Sequence, residues 1–194
     1  MTQPRALNDG PPSRRWAIGL LLVTAGVVLA LDILTKQLAL QHLSDRGPIR
    51  LLGGAVYLTL TRNSGAAFSF GRDHTWIFSV VTLAVLVALA WLARELRSRP
   101  WAWALGMVLG GALGNLTDRI FRAPGLFVGH VIDMVSLFDD RGAVWPVFNL
   151  ADSCLMIGVA VAVTLELTGR LRNGQRAQPR SAAPADDTTA GSAQ

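Results

Sequence analysis

Phe148-Asn149-Leu150-Ala151-Asp152-Ser153 opens an apolar run that continues from Cys154 to Leu165, and the acid at its mouth decides how the chain is read. A charged side chain at a bilayer centre costs about 2.5–3.5 kcal/mol on insertion scales, and less near an interface. Pro146 suits a helix beginning, and Asn149 offers an N-cap side chain. Asp152 then falls in or just beyond the first turn, where the helix dipole favours a negative charge. A second acid, Asp133, lies in the apolar stretch Gly129-His130-Val131-Ile132-Asp133-Met134-Val135, with no obvious basic neighbour. The expectation is that Asp133 and Asp152 meet as a catalytic carboxylate pair.

The composition points to a membrane. Of 194 residues, 51% are hydrophobic and 16% charged, and the mean hydropathy is +0.38. That is too apolar for an ordinary soluble domain, and the length leaves room for one domain. A net charge of +5 raises the question of nucleic acid. The arginines, however, adjoin apolar runs rather than forming a basic stripe with interleaved aromatics, so no nucleic-acid partner is expected. Cys154 is the lone cysteine, and His42, His74 and His130 are scattered. No disulfide, metal site or cofactor is expected from them. Lys36 is the only lysine, and it lies in or beside an apolar segment.

Residues 1–15 are polar and proline-bearing and read as a disordered tail. Residues 16–168 read as one membrane domain, and 169–194, rich in Pro, Ala, Ser and Asp, as a second disordered tail. Within the domain, Trp16 to Leu34 is apolar except for Asp32 and long enough to cross a roughly 30 Å hydrocarbon core. It is read as a retained helix, because its uncharged run exceeds the h-region of about 7–15 residues in a signal peptide and no clear A-x-A site follows. Ala55 to Thr61 places Thr59 and Thr61 on one face and Val56, Leu58 and Leu60 on the other, which reads as a strand. Trp76 to Ala93 is the second span. Trp101 to Leu116 is the third, with Gly106, Gly110 and Gly114 spaced for close packing within the chain. Residues 117–147 read as a mixed loop with a turn at Asp139-Asp140-Arg141-Gly142, and Asn149 to Leu167 as the fourth span. The fold class is therefore an all-α membrane protein: four transmembrane helices with a small extracytoplasmic β cradle.

Basic residues adjoin the start of the first helix, the turn between the second and third, and the end of the fourth. The positive-inside rule puts both termini and that turn in the cytoplasm, although Arg46, Arg50, Arg62 and Arg72 lie in the opposite loop. Asp32, Asn63, Asn115, Asp118, Asp133, Asn149 and Asp152 then all fall toward the outer face. Asp32 and Lys36 share a helix face as a salt bridge or as a brace for the site. Asn115, Asp118 and Arg119 share another, where Arg119 or Arg122 would hold Asp118 ionised. In Arg62-Asn63-Ser64-Gly65-Ala66-Ala67-Phe68-Ser69, small residues surround an amide able to hold a peptide. Two close carboxylates in low dielectric share a proton, so one can activate water while the other donates to a carbonyl oxygen. With Asp152 near a helix N-terminus, the proton would rest mainly on Asp133. On these residues alone Asp118 stays open as a rival base.

Five segments in register resemble the lipoprotein signal peptidase (signal peptidase II) family: Asp32 to Lys36, Arg62 to Phe68, Gly110 to Arg119, Val131 to Met134 and Phe148 to Ser153. The resemblance covers about residues 17–167. It implies a bacterial cytoplasmic-membrane aspartyl endopeptidase that removes signal peptides from prolipoproteins, cutting before a diacylglyceryl-modified cysteine. Its partners would be lipidated prolipoproteins and membrane lipids, and the chain would act as a monomer. The family's catalytic aspartates fall on Asp133 and Asp152. Asn63 and Arg119 would hold the substrate backbone, while Asp32, Lys36, Gly65, Asn115, Asp118 and Asn149 would shape the polar pocket. A proton or ion transporter, the main rival, predicts acids spread through the membrane depth, whereas here they gather at one face.

Overall fold

The computed structural model describes residues 13–65 and 75–177. The expected tails at 1–12 and 178–194, and Ala66 to Ser69 of the asparagine motif, lie outside them. The first helix, α1 (Arg14–Leu43), begins at Ser13, whose hydroxyl accepts from the Trp16 N–H at 3.4 Å. Arg14 and Arg15 therefore belong to the helix rather than to a tail. Its buried residues are Ala17, Leu21, Ala25, Val28, Asp32, Lys36, Ala39 and Leu43, a seam repeating every three or four positions. Asp32 and Lys36 occupy two places in that otherwise apolar seam.

After α1 come two strands, β1 (Ile49–Leu51) and β2 (Val56–Asn63), and the helices α2 (Trp76–Leu92) and α3 (Arg99–Phe121). A third strand, β3 (Val131–Leu137), and the helix α4 (Leu150–Leu167) complete the fold. The strands form one antiparallel sheet in the order β1-β2-β3, with a register shift between Leu58 and Thr61. The sheet lies against the last turns of α1, where Ala39 and Leu43 pack with Ile132 and Met134.

Helix α3 is the centre of the bundle, packed between α1 and α4. Its glycines make those approaches possible. A Cβ on Gly110 would stand 2.7 Å from the Ala25 carbonyl oxygen, and one on Gly111 would stand 2.5 Å from that of Ala151. Gly158 of α4 answers from the other side, 2.8 Å by the same measure from the Ala104 carbonyl oxygen. The small-residue stripe is thus used within the chain. Helix α1, the segment Trp76–Glu95 and α4 are long and apolar enough to cross a membrane. Helix α3 falls short of that apolarity because so much of its surface meets protein, where glycine and alanine replace lipid-facing leucine and valine.

Two expectations need correcting. Residues 117–147 are not a single loop, because α3 runs on to Phe121 and Val131–Leu137 is a strand. Residues 169–177, expected to be tail, fold back as a hairpin in which Ala177 N–H donates to the Gly169 carbonyl at 2.8 Å. The hairpin docks on the α2–α3 turn. Arg172 C=O accepts from the N–H groups of Arg97 and Ser98 at 2.9 and 3.0 Å, and Trp101 Nε1 donates to the Arg170 carbonyl at 2.6 Å.

The glycine contacts predict that Gly110→Ala destabilises the protein by about 1–3 kcal/mol, the usual cost of overpacking. Gly26→Ala, where nothing lies within 4 Å of the added Cβ, leaves the thermal midpoint in detergent unchanged or slightly raised. Equal effects at the two sites would refute the packing account.

Candidate active site

The polar residues gather where α1 and α3 end and α4 begins, against one edge of the sheet. Lys36 is the hub. Its Nζ lies 2.7 Å from Asp32 Oδ2 and 2.9 Å from Asp118 Oδ2, and it donates to Asn115 Oδ1 at 3.1 Å. Lys36 and Asp32 are 0% exposed and Asp118 3%. An ammonium so buried is tolerated only when paired and hydrogen-bonded. Asp32 reaches further through Oδ1, which accepts the Ala151 N–H at 3.0 Å, one of the donors that the first turn of a helix leaves free.

Asp118 is fully engaged. One oxygen meets Arg122 Nε, and the other accepts the Ile132 N–H at 3.1 Å beside Lys36. The guanidinium that holds it is thus that of Arg122, one helical turn on, rather than Arg119. Two backbone donors, on Ala151 and Ile132, complete this frame, and backbone groups leave no trace in the sequence.

Asp133 and Asp152 are brought together by Asn149. Phe148 pairs with Val135 of β3 through two backbone bonds of 2.9 Å, so the next residue, Asn149, arrives beside Asp133. Asn149 then caps α4. Its Oδ1 accepts the Asp152 N–H at 3.0 Å, and its own N–H donates to Asp152 Oδ2 at 3.1 Å, a reciprocal capping box. Its Nδ2 donates to Asp133 Oδ1 at 2.7 Å and to Asn115 Oδ1 at 3.1 Å. A single residue thus holds both carboxylates, Asp133 through its side-chain amide and Asp152 through its backbone N–H. Asn115 Nδ2 donates to Asp152 Oδ1 at 2.7 Å, so Lys36 is wired through Asn115 to Asp152.

The other oxygen of Asp133 accepts from Asn63 Nδ2 at 2.9 Å. Asn63 is itself aimed by the Gly65 N–H, which donates to its Oδ1 at 2.7 Å. Gly65 has φ +95°, and a Cβ there would run into the Phe78 ring, so only glycine closes this turn without strain. Asp133 is 1% exposed. Burial pushes its carboxyl up to about 7, the Asp152 charge adds to the rise, and the two asparagine donors oppose it. Arg119 is buried, with its guanidinium carbon 5.1 Å from the Phe78 ring centroid and Nη1 without a hydrogen-bond partner among the described residues. Phe78 is a neighbour that no sequence motif marks.

All ten residues singled out in the sequence therefore lie in or beside one constellation. Next to it runs an apolar groove of about 440 Å³, walled by Leu38, Ala39, Met134, Leu150 and Ser153, with Asn149 also on its lining. Two adjacent carboxyls, one raised to near neutrality, can hold one proton between them and so present a base and an acid together.

The comparisons with known proteins give the family. The family model described as Signal peptidase (SPase) II matches residues 24–168. A lipoprotein signal peptidase of Rhodococcus jostii (strain RHA1) is 49% identical over 157 residues, spanning 81% of this chain and 77% of that protein. That of Mycolicibacterium smegmatis is 43% identical over 190 residues, spanning 94% and 77%. A bacterial membrane enzyme solved by the in meso method at 1.9 Å resolution superposes with a TM-score of 0.65 at 26% identity, over 77% of this chain and 94% of that one.

Two outcomes are expected. Lys36→Met, which strands Asp32 and Asp118, destabilises by about 3–5 kcal/mol, as removing one member of a buried ion pair does. Thermal unfolding of the purified variant checks this. The second concerns Asp133, whose carboxyl rises from 3.8 to about 7 on folding. Between those values the folded state binds more protons than the unfolded one, so this group's contribution to stability falls as pH rises from about 4 to about 7. Asp133→Asn removes that slope. Wild type should lose stability relative to the variant across this window, and parallel pH profiles would show that the carboxyl is not raised.

Proposed function

The chain belongs to the signal peptidase II family, a membrane protease that removes signal peptides from prolipoproteins, and we propose that Asp133 and Asp152 carry the reaction as a proton-sharing carboxylate pair. The observation behind this reading is the shared hold of Asn149 on both acids. Asp118 is set aside as the base because Arg122, Lys36 and the Ile132 N–H occupy its oxygens.

Asp152 is the anion. It sits at the third position of α4, where the dipole and two N–H donors favour negative charge. Asp133, raised by burial, carries the proton. Asp152 takes a proton from water as the oxygen attacks the scissile carbonyl carbon, while Asp133 gives its proton to the carbonyl oxygen. Collapse of the tetrahedral intermediate breaks the C–N bond. The amine leaves with the proton from Asp152, and the intermediate's hydroxyl returns one to Asp133. Arg119, whose buried Nη1 has no hydrogen-bond partner among the described residues, and the second N–H of the Asn63 amide are donors for the substrate backbone.

The scissile bond precedes a diacylglyceryl cysteine, and the groove of about 440 Å³ beside Asn149 suits an apolar chain. Acyl burial contributes about 0.8 kcal/mol per CH₂, enough to anchor a substrate without extensive side-chain recognition. All four helices span the bilayer in this reading, α3 shielded by the others. Both termini lie in the cytoplasm and the carboxylates toward the outer face. The protein acts as a monomer, since its glycine stripe is used internally.

Cleavage of a diacylglyceryl-modified prolipoprotein tests the assignment. Asp133→Asn and Asp152→Asn should each lose on the order of 10²–10⁴-fold, the scale of general acid–base catalysis, while folded Asp118→Asn keeps measurable turnover. Normal cleavage by Asp133→Asn with none by Asp118→Asn would move the base to Asp118.

A further inference from the structure

The opposite end of the bundle carries a feature that proteolysis leaves unexplained. Arg14 opens α1, Arg94 and Arg97 lie in the α2–α3 turn, and all three line one pocket of about 460 Å³. The hairpin at 169–177 supplies its remaining wall through Asn173 and Gln175, whose amides are already bonded to each other. Arg14 Nε donates to the Arg94 carbonyl at 2.9 Å, which ties the start of α1 to the turn. Two further arginines at this end sit on aromatic rings, Arg99 over Trp16 at 4.6 Å and Arg172 over Trp101 at 5.7 Å. Among the described residues, none of the three pocket arginines forms an ion pair, not even with Glu95 on the same lining.

We propose that this pocket binds the phosphodiester headgroup of an anionic glycerophospholipid, with Arg14, Arg94 and Arg97 as its ligands. Three like charges around one concavity repel each other, and an anion between them relieves that repulsion. Guanidinium is the side chain whose fork of donors matches phosphate oxygens. Orientation in the membrane requires cations near helix ends but no pocket, and a docked hairpin of polar sequence adds nothing to orientation. The exposed Trp16 and Trp91 stand two residues from Arg14 and three from Arg94 along the chain, and such tryptophans mark the headgroup level. A lipid phosphate is therefore in reach by position, and basic pockets between helices bind such headgroups. Inorganic phosphate shares the oxyanion chemistry but lacks the glycerol and acyl parts held at that level.

The test uses the full chain in phosphatidylcholine nanodiscs, titrated with phosphatidylglycerol and followed by native mass spectrometry and thermal midpoint. One phosphatidylglycerol should be retained and should raise the midpoint, while inorganic phosphate and glycerol phosphate at equal concentration should not. Arg94→Ala/Arg97→Ala should weaken retention about tenfold or more, as loss of charge-assisted bidentate bonds does. Arg15→Ala, at the same end but off the pocket lining, should change it less than about twofold, within the range of a screened surface charge. Should the double alanine variant not fold, Arg94→Lys/Arg97→Lys keeps the charge but loses the fork, and is expected to bind with intermediate affinity. Retention unaffected by both double variants overturns the site. Equal protection by inorganic phosphate overturns the lipid as its source. Prolipoprotein cleavage by the variants stays at the wild-type level, which separates this pocket from the carboxylate pair.

Discussion

The buried ammonium of Lys36 is the constraint from which the polar end of the bundle is laid out. A lysine with no exposed surface has to find anions and acceptors inside the protein, and the chain supplies them from two helices. Asp32 is on its own helix, and Asp118 and Asn115 come from α3. Asp32 extends the reach to α4 through the Ala151 N–H, and Asn115 extends it to Asp152. A cluster of this kind adds little net stability over a well-packed apolar one, because desolvation offsets most of the attraction. What it supplies is position. No sliding of α1 against α3 keeps all of these contacts, so three helix ends are fixed relative to one another. The carboxylate of α4 is fixed with them.

Asn149 supplies the second fixed point and joins two requirements that would otherwise compete. A helix that begins inside a buried polar cluster needs its free N–H groups satisfied, and a carboxylate there needs donors. One asparagine does both. It closes the capping box with Asp152 and turns its remaining amide hydrogens toward Asp133 and Asn115. Asp133 arrives from a strand rather than a helix, and its environment differs accordingly. It is almost wholly enclosed by the sheet, whereas Asp152 is half-buried at a helix start. Two chemically identical side chains are thus made unlike by the elements that carry them, which is the condition for an acid and a base to coexist.

The sequence made some of this legible and hid the rest for identifiable reasons. The N-cap at Asn149 with Asp152 in the first turn, the Asp32–Lys36 turn and the glycine stripe are local patterns with fixed spacing, and each stands in the structure as its spacing implies. The pairing of Asp118 with Arg122 is likewise one helical turn, a spacing that the sequence shows beside the Arg119 alternative. The contact of Lys36 with Asp118, across the bundle, has no local signature. Strand β3 escaped because its residues Val131 to Met134 are buried without interruption, so the alternation that marks a half-exposed strand is absent. The hairpin at 169–177 escaped because its polar, glycine-containing composition reads as tail, and only its docking on the α2–α3 turn gives it order. Helix α3 is the subtler case. Burial between neighbours made it less apolar than a lipid-facing helix, so hydropathy alone ranks the most central helix lowest.

That same helix links packing to chemistry. Asparagine and aspartate are short side chains, and Asn115 has to reach Lys36 on one side and Asp152 on the other from a single backbone position. This is possible only where α1 and α4 both approach α3 more closely than ordinary side chains allow. Gly114, immediately before Asn115, provides that approach. A Cβ there would strike the Asp32 carboxylate and stand 3.3 Å from Ala151 Cβ. Gly110 and Gly111, one turn earlier, hold the same two neighbours close by their carbonyl oxygens. A bulkier residue in this stripe would move the helices apart and leave Asn115 short of one partner or the other. The glycines therefore set the reach of the polar network as well as the density of the core. Loss of a packing residue that touches no reacting group would be felt at the carboxylates through the distance Asn115 has to span.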